Sequence, residues 1–318
     1  MDNESGVPSR AGFFNTKSTL PGELLRYNCE ALVSFGEVFM RKLVWGFCAI
    51  GVVITSMVAM SSAQNFYATN EYGYNIYSVD YATDTVTVIT TTTEKPDDII
   101  LTPAGNLVYT QNPGGSVVMY NPTTKVSTVM GTALGGLRDL VLEPSGTSIL
   151  VAAYAPGKIL RMSLTAPYTV TTLASKLKTV NGLAYDKAGD LFAVADMNTV
   201  IQVNPVTGAT IKTLVLEPYY KSNGGDGMCY DPYTNELWIS HIGTIGNGLY
   251  EVPLNLSTAT EYLTGDILQP DGIVSDGKGN LYIGGAYKNL LEYNIPSNTV
   301  TKSLLVSGID SPVLVPAP

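Results

Sequence analysis

Five segments of this chain repeat one layout: an acidic or polar residue, a short apolar run, a turn built on Pro, Gly or Asn, and a second apolar run. They are PDDIILTPAGNLVYT, LRDLVLEPSGTSILVAA, VNGLAYDKAGDLFAVAD, GDGMCYDPYTNELWISH and PDGIVSDGKGNLYIGG. Aligned on their turns, the leading positions are Asp97, Arg138, Asn181, Asp226 and Asp271, separated by 41, 43, 45 and 45 residues. The stretches between these segments read as hairpins, as in VVMYNPTTKVSTVM, VIQVNPVTGATIKTL and LLEYNIPSNTVTKSL, where β-rich runs flank Asn, Pro, Thr and Gly. Four short strands per repeat of this length is the period of a propeller blade. No amphipathic helical stretch intervenes, so the fold class is all-β.

Five copies do not close a ring, and the two ends of the chain supply the sixth. DSPVLVPAP reproduces the first strand and turn of a copy, with Asp310 at the leading position. QNFYATNEYGYNIYSVDYATDTVTVI, from Gln64, reads as the other three strands. The expectation is a six-bladed β-propeller of four-stranded blades, closed by the C-terminal strand joining the N-terminal blade. Closure removes two sheet edges that an open array leaves exposed.

The segment before Gln64 belongs to a different kind of structure. Met40, Arg41 and Lys42 precede an apolar run from Leu43 to Met60 and then Ser61-Ser62-Ala63. This is the layout of a secretory signal peptide over 40–63, cleaved before Gln64. On that reading residues 1–39 are an upstream extension of the reading frame, and 64–318 is the propeller. The competing reading is an uncleaved single-pass anchor with residues 1–39 as a cytoplasmic tail, the only case in which a membrane is a partner. Either reading sends the propeller outside the cytoplasm, secreted or periplasmic.

With 45% hydrophobic and 14% charged residues the chain can bury a large core, which excludes a disordered chain. A formal charge of −9 repels phosphate backbones and argues against nucleic acid as a partner. After Ala63 the chain contains one cysteine, Cys229, and one histidine, His241, so neither an internal disulfide nor a typical nitrogen and sulfur zinc site can be assembled there. A metal in this chain would be a hard cation on oxygen ligands.

In a propeller the innermost strand of each blade begins at one rim of the central channel, so Asp97, Arg138, Asn181, Asp226, Asp271 and Asp310 are expected to encircle its mouth. Four carboxylates there must be solvated, partly protonated, or neutralised by Arg138 or by a cation. Oxygen ligands of this kind suit Ca²⁺, or Mg²⁺ keeping several waters. The alternative is structural, since Asp and Asn side chains also satisfy nearby backbone N–H groups. His241, in WISHIGTIGNGLY, is expected in a loop on the same rim, where it can act as general acid or base. Tyr72, Tyr74, Tyr154 and Tyr287 fall in equivalent loops and are candidates to wall a pocket. GTIGNG precedes a strand and not a helix, so it is not read as a phosphate loop. No G-x-S-x-G elbow is present.

VNGLAYDKAGDLFAVAD and PDGIVSDGKGNLYIGG resemble the gluconolactonase and regucalcin (senescence marker protein) family of six-bladed propellers, with NHL-type propellers close behind. The resemblance implies one divalent cation at the channel mouth, held by an Asn, an Asp and a Glu. These positions fall on Asn181, on Asp226, which also takes the family's role of general base, and on Asp310, shorter by one methylene. A family Asn that contacts substrate falls on Arg138, a departure from the pattern. Arg138 then pairs with a substrate carboxylate or, through Asp97 or Asp271, plugs the channel with a salt bridge. The implied activity is hydrolysis of a lactone or similar small ester, with Asp226 and His241 catalytic, Asp97, Arg138, Tyr154 and Asp271 around the substrate, and Asn181, Asp226 and Asp310 on the metal. The alternatives are a non-catalytic propeller whose rim binds a carbohydrate, peptide or protein, and a lyase or cyclase on the same rim.

Overall fold

The computed structural model describes residues 64–216, 224–242, 247–262, 269–285, 289–306 and 308–316. Residues 1–63, with the signal-like segment, and Tyr287 lie outside them. The first blade contains β1 (Asn65–Asn70), β2 (Asn75–Asp80) and β3 (Thr85–Thr91). The second is β4 (Lys95–Leu101), β5 (Leu107–Asn112), β6 (Ser116–Asn121) and β7 (Val126–Gly131). The third is β8 (Gly136–Leu142), β9 (Ser148–Ala155), β10 (Lys158–Ser163) and β11 (Val170–Ala174). The fourth is β12 (Val180–Tyr185), β13 (Leu191–Ala195), β14 (Thr199–Val203) and β15 (Thr210–Val215). The fifth is β16 (Gly224–Asp231), β17 (Glu236–Ile242), β18 (Gly248–Pro253) and β19 (Thr260–Tyr262). The sixth is β20 (Pro270–Ser275), β21 (Asn280–Gly285), β22 (Asn289–Asn294) and β23 (Thr299–Leu305), and β24 (Ile309–Val315) follows.

Strand β24 completes the first blade, in the order β24-β1-β2-β3, and every sheet is an antiparallel four-stranded meander. Inner strands β4, β8, β12, β16, β20 and β24 each lie against the next, and β24 returns to β4. The chain is a six-bladed β-propeller closed between its ends. Phe66 on β1 lies opposite Leu314 on β24, so closure joins the first strand of the fold to the last.

The core is divided among the contacts between blades, because each sheet covers the face of its neighbour. Middle strands therefore carry continuous apolar runs: all five residues of β13 are buried. Outer strands alternate weakly and are exposed, as in β7. The contact between the sixth and first blades is aromatic, with Phe66 against Tyr282 at 4.6 Å and against Tyr81 at 5.6 Å between ring centroids. The Asn-rich hairpins fold through side-chain acceptors: Asn121 Oδ1 accepts N–H bonds from Thr123 and Thr124, and Asn204 Oδ1 from Val206 and Thr207.

One irregularity recurs in every blade and decides what the channel presents. Each inner strand carries a bulge in which two of its residues oppose one residue of the second strand. The bulged pairs are 97–98, 138–139, 181–182, 226–227, 271–272 and 310–311, and the first residue of each is the leading residue of the sequence repeat. Blades four to six have glycine at the second bulge position. At Gly227 a Cβ would come within 2.6 Å of the Asp271 carbonyl oxygen, so the close approach of neighbouring inner strands excludes a side chain. Blades one to three have Ser311, Asp98 and Asp139 there, and those side chains enter the channel.

Candidate functional site at the channel mouth

Bulging turns the six leading residues toward the channel mouth, but they do not share one environment. Asp97, Asn181 and Asp310 are buried, whereas Arg138, Asp226 and Asp271 are half-buried. Asp97, Arg138, Asp226 and Asp271 line a common cavity of about 30 Å³. That volume holds a water or two, or one ion, whereas organic ligands occupy roughly ten times as much. Asn181 and Asp310 lie outside its wall.

Arg138 is the cationic centre of the mouth. Its Nη1 donates to Asp97 Oδ2 at 3.0 Å, and its guanidinium carbon stands 5.4 Å from the centre of the Tyr154 ring. Asn112 fixes the pair from the second strand, donating from Nδ2 to Asp97 Oδ2 at 3.0 Å while its Oδ1 accepts the Leu137 N–H at 2.9 Å. Of the two sequence expectations for Arg138, the salt bridge to Asp97 is realised. The side chain is still 41% exposed.

The carboxyl groups hold protons tightly. Burial pushes Asp97 up to about 7 against the opposing charge of Arg138. Asp226 is raised by burial, again opposed by Arg138. Asp271 and Asp310, in neighbouring blades, hydrogen-bond to each other, and both lie well above the ordinary carboxyl range, first because they are buried. The electrostatic cost of four acids at one mouth is thus met by Arg138 and by protonation together.

Among the leading residues, two buried oxygens have no hydrogen-bond partner within the described residues, Oδ1 of Asn181 and Oδ1 of Asp310. The Asn181 amide is oriented by its Nδ2, which donates to the Gly225 carbonyl at 3.0 Å. With Asp226 these are the three oxygen donors of the implied cation site, and hard donors left unsatisfied by protein suit a hard cation. Among the described residues no group of three His, Cys, Asp or Glu side chains is arranged to hold a metal, so any such site depends on the Asn181 amide.

His241 is not in a loop. It is the next-to-last residue of β17, paired with Gly225 and Gly248, only 1% exposed, with its ring edge-on to Tyr250 at 5.2 Å. Burial lowers its pKa to about 4, so the imidazole is neutral near pH 7. Its placement on an apolar strand followed by glycines resembled a strand end leading into a rim loop, and the strand runs two residues further than that reading. Tyr72 and Tyr74 are exposed at the first-blade turn, with Lys95 Nζ 5.0 Å from the Tyr72 ring centre.

Sequence reasoning passed over two sets of residues. Asp98, Asp139 and Ser311 occupy the second bulge position, and the acidic doublet in PDDII was their visible signal. Thr69, Thr110 and Ser240 sit opposite the bulges on the second strands and clip neighbouring blades together. Thr110 Oγ1 accepts the Asp98 N–H at 3.0 Å and donates to the Arg138 carbonyl in the next blade at 3.0 Å. Thr69 accepts from Ser311 N at 2.9 Å and donates to the Asp97 carbonyl at 2.6 Å, and Ser240 links Gly227 N to the Asp271 carbonyl in the same way.

No protein-family model matches the sequence, and no curated protein matches it. Solved structures do resemble the fold. A chain of a nidogen/laminin complex superposes with a TM-score of 0.64 at 12% identity, covering 79% of this chain and 97% of that one. TolB from Acinetobacter baumannii gives 0.60 at 11% identity over 80% and 66%. Virginiamycin B lyase from Staphylococcus aureus gives 0.56 at 12% identity over 78% and 86%. At these identities the likeness is one of fold, and the neighbours span a lyase, TolB and a laminin-complex protein.

Proposed function

We propose that this is an extracytoplasmic hydrolase of a lactone or similar small ester bearing a carboxylate, acting at the outer side of the channel mouth. The observation that carries the reading is Arg138, held by Asp97 on one nitrogen and by Tyr154 over its face, in the same cavity as Asp226. A guanidinium fixed on one side retains N–H donors for a planar carboxylate on the other. Because the cavity takes only water or an ion, substrate rests above it and the attacking water lies inside, against Asp226. Asp226 takes a proton from that water as its oxygen bonds to the carbonyl carbon, then returns it to the alkoxide when the carbon–oxygen bond breaks. Burial raises the pKa of Asp226, which strengthens it as a base, and the charge of Arg138 opposes that rise. A divalent cation on Asn181, Asp226 and Asp310 would polarise the substrate carbonyl.

The deciding experiment is a screen of lactones and carboxylate esters with the wild-type protein and its Asp226→Asn variant, with and without chelator. Turnover in the wild type that disappears in a folded Asp226→Asn protein supports the reading; undiminished turnover in that variant removes it. Loss of turnover with chelator, restored by Ca²⁺ or Mg²⁺, supports the cation. Sequencing the N-terminus of the exported protein, expected to begin at Gln64, tests the extracytoplasmic assignment.

A second reading, a rim that binds a carbohydrate, peptide or protein without reaction, is favoured by the small size of the cavity and by the exposed Tyr72 and Tyr74. Binding of such a partner unaffected by chelator, with no turnover in the screen, selects it. Nothing favours a lyase: a histidine-to-alanine variant of virginiamycin B lyase is catalytically inactive, and the one histidine here is enclosed in a strand.

A further inference from the structure

Below the mouth, the channel is crossed by the side chains of the second bulge positions. Asp98 and Asp139 hydrogen-bond to each other, and Ser311 Oγ donates to Asp98 Oδ1 from across the ring closure. Backbone N–H groups complete the set: Leu140 N donates to Asp98 Oδ2 at 2.6 Å and Leu183 N to Asp139 Oδ2 at 2.6 Å. Both carboxyl groups stand in the wall of the mouth cavity and also in that of a second cavity, of about 200 Å³. Ile100, Val141, Leu183, Val274 and Val313 make its sides, with Tyr185 and Tyr230 beside them.

The chemistry of this cavity is unbalanced. Two carboxyl groups stand in its wall, and burial raises both above the ordinary range, Asp139 strongly, so neither ionises readily without a countercharge. Among the described residues no ion pair reaches either of them, because Arg138 is committed to Asp97 at the mouth. A cation brought against the two carboxyls would supply that countercharge. Beyond Asp98, Asp139 and Ser311 the lining side chains are mainly aliphatic, which suits an organic body better than a bare metal ion or a second anion. An apolar cavity of about 150 Å³ accepts benzene, so this one accommodates a ring of that size with a short polar arm.

We propose that this second cavity, whose wall shares Asp98, Asp139 and Ser311 with the mouth cavity but not Asp226, is a ligand site for a small organic monocation: an ammonium group against Asp98 and Asp139 and a compact apolar body between the aliphatic walls. The polar end enters first because the carboxyl pair forms the floor of the cavity. Charge selects against neutral and anionic compounds of the same shape, and volume selects against larger ones.

The test is calorimetric titration of the full chain with benzylammonium, benzyl alcohol and benzoate. Saturable one-to-one binding of benzylammonium, at least tenfold tighter than benzyl alcohol and without measurable binding of benzoate, is expected. Asp98→Asn with Asp139→Asn is expected to abolish it, each amide keeping an oxygen for the backbone N–H bonds. Should that double variant not fold, Val274→Phe, which narrows the cavity and leaves both carboxyls in the chain, is expected to abolish binding equally. Asp226→Asn, at the mouth, is expected to leave it unchanged, so this result stands apart from the fate of the hydrolase reading. Absence of saturable binding, equal binding of benzyl alcohol, retention in a folded Val274→Phe protein, or loss in Asp226→Asn would each overturn the proposal.

Discussion

Asp97 and Arg138, leading residues of adjacent blades, pair at 3.0 Å across the channel mouth and are held there by Asn112 and Tyr154. In the repeat the Arg138 position is otherwise acidic or amide. The one blade that departs from the pattern therefore supplies the cation for its neighbour.

Removing that cation leaves Asp97 buried beside other carboxyls. Arg138→Met is expected to cost about 1–3 kcal/mol, below the range for fully buried pairs because Arg138 is partly solvated. Asp97→Asn in the same chain is expected to recover most of the loss. Urea denaturation of the wild type and the two variants measures both, and equal stability of single and double variants would count against the pair as described.

The acids of the mouth reverse the usual pH dependence. Asp97, Asp226, Asp271 and Asp310 each keep a proton to higher pH in the folded chain than in the unfolded one. Above about pH 4 the folded state therefore binds more protons, and stability falls as pH rises toward the folded values, about 7 for Asp97. His241, lowered to about 4, has the opposite sign and costs stability as pH falls from about 6.5 to 4, but it is one group against four. Greater stability at pH 5.5 than at pH 7.5 is expected, with a shallower difference in Asp271→Asn. A wild-type protein more stable at pH 7.5 would contradict the assignment.

Because His241 is neutral and enclosed, His241→Gln is expected to destabilise the fold without removing any inflection from the pH profile of turnover near neutrality. Disappearance of such an inflection in a folded variant would restore His241 as an acid or base.

The hydroxyl clips act at single atoms. Thr110→Val keeps the shape but leaves the Asp98 N–H and the Arg138 carbonyl without their bonds, an expected cost of about 1–3 kcal/mol. Denaturant midpoints report it, and a change too small to resolve would mean that water replaces the hydroxyl.

Ring closure rests on β24 and the aromatic contact behind it. Phe66→Ala is expected to cost about 3–5 kcal/mol, and protease sensitivity should rise first in the first and sixth blades. Uniform sensitivity around the ring would show that closure is not the weak point.

The blade repeat, the count of six and the closure by β24 were legible in the sequence because each rests on local information: strand runs, turn residues and the spacing between copies. The same alignment found the ring of leading residues, since a bulge that recurs at one place in every blade turns equivalent positions the same way. What the sequence left open depends on which side chains meet between blades. That Asp97 and Arg138 pair, that burial raises Asp271 and Asp310, and that Asn181 lies outside the cavity follow from contacts between strands some 40 residues apart. Asp98 and Asp139 read as ordinary polar residues until the ring brings them together, and His241 as a loop residue until β18 closes over it. Local pattern decided the architecture; packing between blades decided which of its polar atoms are exposed, paired or protonated, and hence where chemistry is available.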